Sequence, residues 1–543
     1  MLFDRRMCIS SLGFVFLLSL YFFFVLNIPL IAKLVDILDH LERVKLGFII
    51  SIPFFFVACL NIIFTLLAIK YIEKGLFIIL VLLSSSVSYA MYNYGVIFDR
   101  EMIVNILQTH SGEAKSYLNF SSFLWFLLTG VIPAVVIFRT DIIHGGLLKG
   151  LLWKVFSILA SLLVIAVIAL FYYKDYASVG RNESYIKKLI IPTYYVSSAG
   201  GYFYDAYLKE ALPYQTLGED AVSAAPSENG KHTLLVLMIG ETARSMNFAY
   251  NGYPRDTNSF TKELGFISFR DVSSCGTATA VSVPCMFSHL SKADFSPEQA
   301  DHQDNLLDVL SHAGIDIRWY ENDGGCKGVC RNIATVEFRP EDGGPLCDGD
   351  YCKDGVLLGA LEQAIEKTKD KDTVLVLHMV GSHGPTYYQR YPDEFAHFKP
   401  DCARSDIQNC NARELMNTYD NTIYYDDYII GEVVKALNNR HDHWNTGLVY
   451  ISDHGESLGE SGLYLHGMPY AMAPEQQTRV PMLVWLSSAL AEEKKLDNAC
   501  LKHKAETGRY SHDNLFDSVL GLLDISTGLY RQELDIFSPC RHS

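Results

Sequence analysis

Five long apolar runs stand in series in the first third of the chain, and nothing of comparable length follows them. A helix needs about 20 apolar residues to cross roughly 30 Å of hydrocarbon. The runs 11–32, 47–69, 76–97, 123–138 and 151–173 meet or approach that length, with Pro53 and Pro133 tolerated inside two of them. One buried helix of a soluble core can imitate a span; five in succession are hard to imitate. The chain is therefore expected to open with a five-helix transmembrane domain over residues 1–173. The first run is longer than the apolar core of about 7–15 residues in a signal peptide. No clear small-x-small cleavage site follows it, so it reads as an uncleaved anchor.

Lys and Arg in the short loops set the orientation. With the N-terminus inside, the cytoplasmic segments hold Arg5, Arg6, Lys70, Lys74, Arg139, Lys149 and Lys154, against Lys33, Arg43, Lys45, Arg100 and Lys115 outside. Five spans then place everything after Tyr173 outside the cytoplasm. Cysteine points the same way. Of 12 cysteines, ten lie beyond residue 274. They pair as Cys275 with Cys285, Cys326 with Cys330, Cys347 with Cys352, Cys402 with Cys410, and the more distant Cys500 with Cys540. An even, paired set in an exported domain reads as disulfides in an oxidising compartment such as a periplasm. Cys326-x3-Cys330 resembles half a zinc knuckle, but the pairs lack CxxC spacing. The net charge of −16 argues against nucleic acid as a partner, and 31 Phe with 32 Tyr exclude a disordered chain.

Residues 174–230 read as an interfacial linker. They are rich in tyrosine, which settles at membrane–water interfaces, and Lys187 and Lys188 suit anionic headgroups. The stretch 221–231 is small and polar, with Pro and Gly, and reads as a hinge. Residues 231–543 are expected to form one periplasmic domain. Four short apolar runs, 233–239, 373–379, 447–451 and 481–486, look like buried strands, and 303–313 and 354–367 have helical character. Such alternation argues an α/β domain with a mostly parallel sheet covered on both faces.

Ligands of such sheets bind beyond the carboxyl ends of the strands. Gly240-Glu241-Thr242 follows the first run, Gly381-Ser382-His383-Gly384 the second, and Ser452-Asp453-His454-Gly455-Glu456 the third. Carboxylate oxygen and imidazole nitrogen suit Zn²⁺, and Glu241, Asp453 and His454 offer three ligands. A hydroxyl in the fourth position becomes a nucleophile. Thr242 shares the turn with Glu241, whereas Thr277 and Thr279 lie in the loop Cys275-Gly-Thr-Ala-Thr-Ala-Val-Ser-Val-Pro-Cys285. Spacing does not choose between the last two. A Ser-His-Asp hydrolase using Ser382 is disfavoured, because no G-x-S-x-G elbow follows a strand.

With these motifs in place, the chain resembles the bacterial phosphoethanolamine transferases that modify lipid A, including the mobile colistin-resistance enzymes. The segments that carry the resemblance are GETAR (240–244), SCGTATAVSVPCMFS (274–288), NDGGCKGVC (322–330), VGSHGPTYYQRYP (380–392), NTYDNTIYYDDYI (417–429) and SDHGESLGE (452–460) with His466. It spans essentially the whole chain. It implies an alkaline-phosphatase-like, sulfatase-like α/β/α sandwich in the periplasm of a multi-pass protein of the bacterial inner membrane. It implies zinc on Glu241, Asp453, His454 and Thr279, with a second zinc allowed, and Thr279 as the nucleophile. It implies phosphatidylethanolamine as donor, a phosphate of lipid A as acceptor, and polymyxin resistance as the outcome. His383 and His466 match positions that contact substrate or a second zinc, and Lys327 and Asp323 match phosphoethanolamine-contacting positions. A monomer is expected. Relatives that modify inner-core sugars or glycans share the metal motif and stay open as alternatives, whereas the C/S-x-P-x-R motif of sulfatases is absent.

Overall fold

The computed structural model describes all 543 residues except 1–6, 40–43, 110, 183, 210–211, 225–229, 349–350, 369–370, 441 and 543. Arg5, Arg6 and Arg43 of the charge count, and residues 225–229 of the expected hinge, lie outside the described residues. The chain forms two compact units, one of residues 1–100 with 118–205, the other of residues 101–117 with 206–543.

In the first unit, four helices among the described residues are long and apolar enough to cross a membrane: Leu46–Leu67, Glu73–Tyr94, Phe120–Arg139 and Leu148–Ala177. A fifth span arises if Ser11–Leu26 and Ile28–Asp39, bent by 62°, count as one. The run expected as one span over 11–32 is thus broken at residue 27. Asn27 holds the break: its Nδ2 donates to Phe22 O (2.9 Å) and Ile191 O (2.7 Å), and its Oδ1 accepts from Ile191 N at 2.8 Å. Backbone groups freed at a break inside an apolar bundle need such partners. Pro29 falls in the first turn of the second piece, where a missing N–H is harmless. Phe120–Arg139 passes through a π-turn, Leu127–Val131, just before Pro133. Of the tyrosines expected at an interface, Tyr176 and Tyr195 instead hydrogen-bond Ser51 and Ser84 in the bundle, while Tyr173, Tyr204 and Tyr207 are exposed.

In the second unit, seven strands among the described residues form the central sheet. They are β1 (His232–Gly240), β2 (Ile267–Phe269), β3 (Asp316–Glu321), β4 (Ala334–Glu337), β5 (Thr373–His378), β6 (Trp444–Ser452) and β7 (Met482–Leu486). Their order is β2-β7-β6-β1-β5-β3-β4. Every pairing is parallel except those of β7, which runs antiparallel to both neighbours. The sheet is therefore mixed and mostly parallel. β1 is buried on both faces over 234–239. Leu235, Leu237 and Ile239 share a core with Leu306, Leu310, Leu515 and Val519. Helices Gly355–Lys367 and Ala412–Asn438 pack on β5 and β6.

Register aligns the strand ends. Ser452 pairs with Gly240, His378 with Ile239, and Glu321 with His378, so β6, β1, β5 and β3 finish along one rim.

All five cysteine pairs read from the sequence are disulfides. Cys275 is bonded to Cys285, Cys326 to Cys330, Cys347 to Cys352, Cys402 to Cys410, and Cys500 to Cys540. The Cys347 bond to Cys352 ties the two short strands Cys347–Asp348 and Tyr351–Cys352 together, ahead of the helix that begins at Gly355. The Cys402 bond to Cys410 closes the loop that leads into Ala412–Asn438. The half-knuckle reading of Cys326 and Cys330 is thereby excluded, since neither sulfur is a thiolate. Cys8 and Cys59 form no disulfide.

Candidate active site

The rim gathers its polar residues into a buried cluster. Glu241 leaves β1 and Asp453-His454 leave β6, all three fully buried. Asp453 N donates to Gly240 O (2.9 Å), and Asp453 Oδ1 accepts from Thr242 N and His454 N at 3.2 and 2.7 Å. Thr242 sits in the left-handed region at φ 53°, rare for a β-branched residue. Its carbonyl is tied down by Tyr419 Oη at 2.7 Å.

Three ligand atoms point inward, all within 4.8 Å of one another in Glu241, Asp453 and His454. His454 Nδ1 lies 3.0 Å from Gly455 O. A carbonyl only accepts, so Nδ1 carries the proton and Nε2 presents its lone pair. That Nε2 stands 3.4 Å from Glu241 Oε1 and 3.2 Å from Asp453 Oδ2. Asp453 Oδ2 is buried and makes no hydrogen bond. Burial, then the Asp453 and Asp323 carboxylates, push the Glu241 carboxyl well above its usual range. Burial drives the His454 imidazole down to about 4, so it stays a neutral donor at ordinary pH. Two crowded carboxylates, an orphaned oxygen and an imidazole lone pair are a donor set that fits Zn²⁺.

The three candidate threonines separate here. Thr279 opens the helix Thr279–Met286, and its Oγ1 lies 3.3 and 3.2 Å from the Glu241 oxygens and 3.4 Å from His454 Nε2. Thr277 Oγ1 donates to Met468 O at 2.6 Å, and Thr242 Oγ1 is buried without a partner. The Cys275–Cys285 disulfide spans the loop and helix. Gly276 N donates to Ser282 Oγ (2.9 Å) and Gly467 N to Thr277 O (2.7 Å). His512 ties the loop to the sheet: its Nδ1 accepts from Cys275 N (3.1 Å) and its Nε2 donates to Ser452 O (2.9 Å). Nothing near His512 in sequence points to that role.

The remaining candidates ring this core. His466 and His454 have ring centroids 4.6 Å apart, and His383 and His466 5.4 Å apart. His383 Nδ1 donates to Gly384 O (2.8 Å) and His466 Nδ1 to Glu456 Oε1 (3.3 Å), so Nδ1 carries a proton in each ring. Asp323 is buried, and burial pushes its carboxyl up to about 6. Lys327 stands in the Cys326–Cys330 loop at φ 51°, half-buried, and its charge opposes the upward shifts of Glu241 and Asp323. Ser382 is not part of the cluster; its hydroxyl accepts from Thr422 Oγ1 at 2.6 Å. A cleft beside the Thr279 helix is lined by Ala280, Pro284, Lys327, Val104 and Gln108.

The chain is similar to known proteins over nearly its whole length. Residues 233–525 match the sulfatase family, and residues 56–207 match the family described as phosphoethanolamine transferase EptA/EptB. The chain is 39% identical to phosphoethanolamine transferase EptA of Salmonella typhimurium, covering 99% of this chain and 98% of the relative. It is 33% identical to phosphatidylethanolamine transferase Mcr-1 of Escherichia coli over 85% of this chain and 87% of that protein. Among solved structures, the integral membrane lipooligosaccharide phosphoethanolamine transferase A of Neisseria meningitidis superposes with a TM-score of 0.95 at 37% identity, covering 99% of this chain and 100% of that one.

Proposed function

The chain belongs to the phosphoethanolamine transferase family, and on that premise we propose that it transfers phosphoethanolamine from phosphatidylethanolamine to a phosphate of lipid A through a phosphothreonine at Thr279. The observation that carries the reading is the Thr279 hydroxyl at the start of its helix, 3.2 Å from Glu241 and 3.4 Å from His454. Glu241, Asp453, His454 and Thr279 would hold the zinc ion. Zinc supplies positive charge against the phosphoryl oxygens and lowers the pKa of the hydroxyl beside it.

The chain's own residues do the rest. Thr279 Oγ forms a bond to the donor phosphorus as the bond from phosphorus to the diacylglycerol oxygen breaks. The threonine loses a proton, and the departing diacylglycerol gains one. In the second half, an oxygen of the lipid A phosphate attacks the same phosphorus, and Thr279 leaves and regains its proton. Phosphoryl transfer demands positioning and charge neutralisation above all. His383 and His466 stand in a row beside the His454 ring, and imidazoles there can pass a proton to a leaving oxygen or take one from an attacking oxygen. Lys327 and the N-terminal peptide groups of the Thr279 helix face the anionic group.

Both substrates are lipids, which accounts for apolar helices and catalytic unit in one chain. In this reading the protein is a monomer of the bacterial inner membrane with its catalytic unit in the periplasm. Adding an amine to lipid A lowers surface negative charge, so cationic polymyxins bind less well. The test is mass spectrometry of lipid A from polymyxin-sensitive cells expressing the chain or Thr279→Ala. A gain of ~123 Da with the wild type alone is expected for one added group on a covalent route. No gain from folded, zinc-loaded protein overturns lipid A as acceptor and directs the search to core sugars and glycans.

A further inference from the structure

A second buried cluster shares Glu241 with the first. The ligand atoms of Glu241, Asp323 and His378 lie within 4.8 Å of one another, and all three residues are buried. Glu241 follows β1, His378 ends β5, and Asp323 lies two residues past the end of β3.

The β5–β3 register sets His378 opposite Glu321. Their side chains meet, His378 Nδ1 to Glu321 Oε2 at 2.8 Å. A carboxylate only accepts, so Nδ1 carries the proton. Glu321 is fixed in turn. Its Oε2 also accepts from Trp319 Nε1 at 2.8 Å, and its Oε1 from Asp323 N at 2.6 Å. Trp319 packs edge-on to the imidazole, centroids 5.5 Å apart. The ring therefore has one orientation.

Its other nitrogen has no hydrogen-bond partner, although the residue is completely buried. That Nε2 faces Asp323 Oδ2 at 3.9 Å, too long for a hydrogen bond. Two ligands of one ion, each on a bond of about 2.0–2.2 Å, lie about 3–4 Å apart. Leaving a buried ring nitrogen unmatched is costly, and a histidine anchored through one nitrogen to a carboxylate while the other is unmatched is the arrangement that metal ligands adopt.

We infer that Glu241, Asp323 and His378 form a second divalent-cation site, for a transition-metal ion of the Zn²⁺ or Mn²⁺ class, with Glu241 bridging the two sites. The inference rests on the assignment of Glu241 as a zinc ligand and extends it. Paired ions held by a shared carboxylate sit about 3.5–4 Å apart and clamp both oxygens of a displacement. The rival occupants are a proton on His378 and the ammonium of Lys327; either leaves the chain with one bound ion.

The test is metal counting on the full chain in detergent. The protein is stripped by chelation, loaded with Co²⁺ and freed of excess, and bound cobalt is measured by mass spectrometry. Two equivalents are expected for the wild type and for His383→Ala, and one for His378→Ala and Asp323→Asn. Glu321→Gln is expected to keep the first and weaken the second by about 10–100-fold, which carries the test if His378→Ala does not fold. One equivalent in the wild type overturns the inference and leaves the zinc assignment standing. None overturns both. Two equivalents in His378→Ala and Asp323→Asn, or loss of the second ion in His383→Ala alone, also overturn it.

Discussion

The backbone at Gly381 is pressed against the backbone of Glu241: a Cβ on residue 381 would stand 2.8 Å from Glu241 O and 2.9 Å from Glu241 N. The residue also lies in the left-handed region, at φ 46°. Ser382 N donates to Glu241 O at 2.9 Å across the same contact. The loop after β5 thus backs the carboxylate that both buried clusters share.

Gly381→Ala is expected to cost about 1–3 kcal/mol from conformation alone, with a further loss as Glu241 shifts. Thermal melting reads the first effect and transfer activity the second. Melting and turnover equal to the wild type would show that the contact is not a constraint.

The threonines separate by covalent labelling. With a radiolabelled phosphatidylethanolamine headgroup, Thr279→Ala is expected to trap no label. Thr277→Ala is expected to trap label but melt lower, because Met468 O loses its donor at a cost of about 1–3 kcal/mol. Label on Thr279→Ala reassigns the nucleophile.

Removing metal is expected to abolish labelling and leave the protein able to recover on adding Zn²⁺. Labelling that persists after the metal count falls to zero contradicts the role given to Glu241, Asp453 and His454.

The disulfides differ in the chain they enclose. Cys275–Cys285 spans 10 positions and Cys500–Cys540 spans 40. Loop-closure entropy makes removal of the longer one more costly by ~1 kcal/mol. Denaturant titrations of the two double-alanine variants check the order, and an equal or reversed cost removes loop length as the cause.

Asp304 ties residues 214–217 to the rest of the second unit. It accepts from Tyr214 Oη (2.6 Å), Leu217 N (3.0 Å) and His312 Nε2 (3.0 Å). Burial pushes its carboxyl up, but these donors outweigh burial and hold it below the usual aspartate value. A lowered folded pKa gives stability that is present above the unfolded value of about 4 and lost as pH falls through the folded value. Asp304→Asn is therefore expected to be destabilising at neutral pH, by a gap that narrows below about pH 4. A gap constant with pH rules the linkage out.

Much of this was legible in the residues. β1, β5, β6 and β7 are continuous apolar runs, because a strand buried on both faces has no polar side to show. Glu241, Asp453 and His454 were legible because they follow such runs directly. β3 was not: Asp316 and Arg318 interrupt its apolar residues, which gives alternation in place of a run. The Glu321–His378 pair was hidden for the same reason, since it exists only once two strands distant in sequence are set in register. The direction of β7 leaves no trace in composition. The break at Asn27 depends on Ile191, which is 164 positions away.

The cysteine order has a consequence for how such a chain matures. Each of the first four disulfides joins consecutive cysteines no more than 10 positions apart, down to Cys402 and Cys410. A chain threaded outward from its N-terminal side presents each thiol with its native partner before the next competitor emerges. Order of arrival does the sorting that a shuffling enzyme must otherwise do, and only Cys500 waits for the final residues at Cys540.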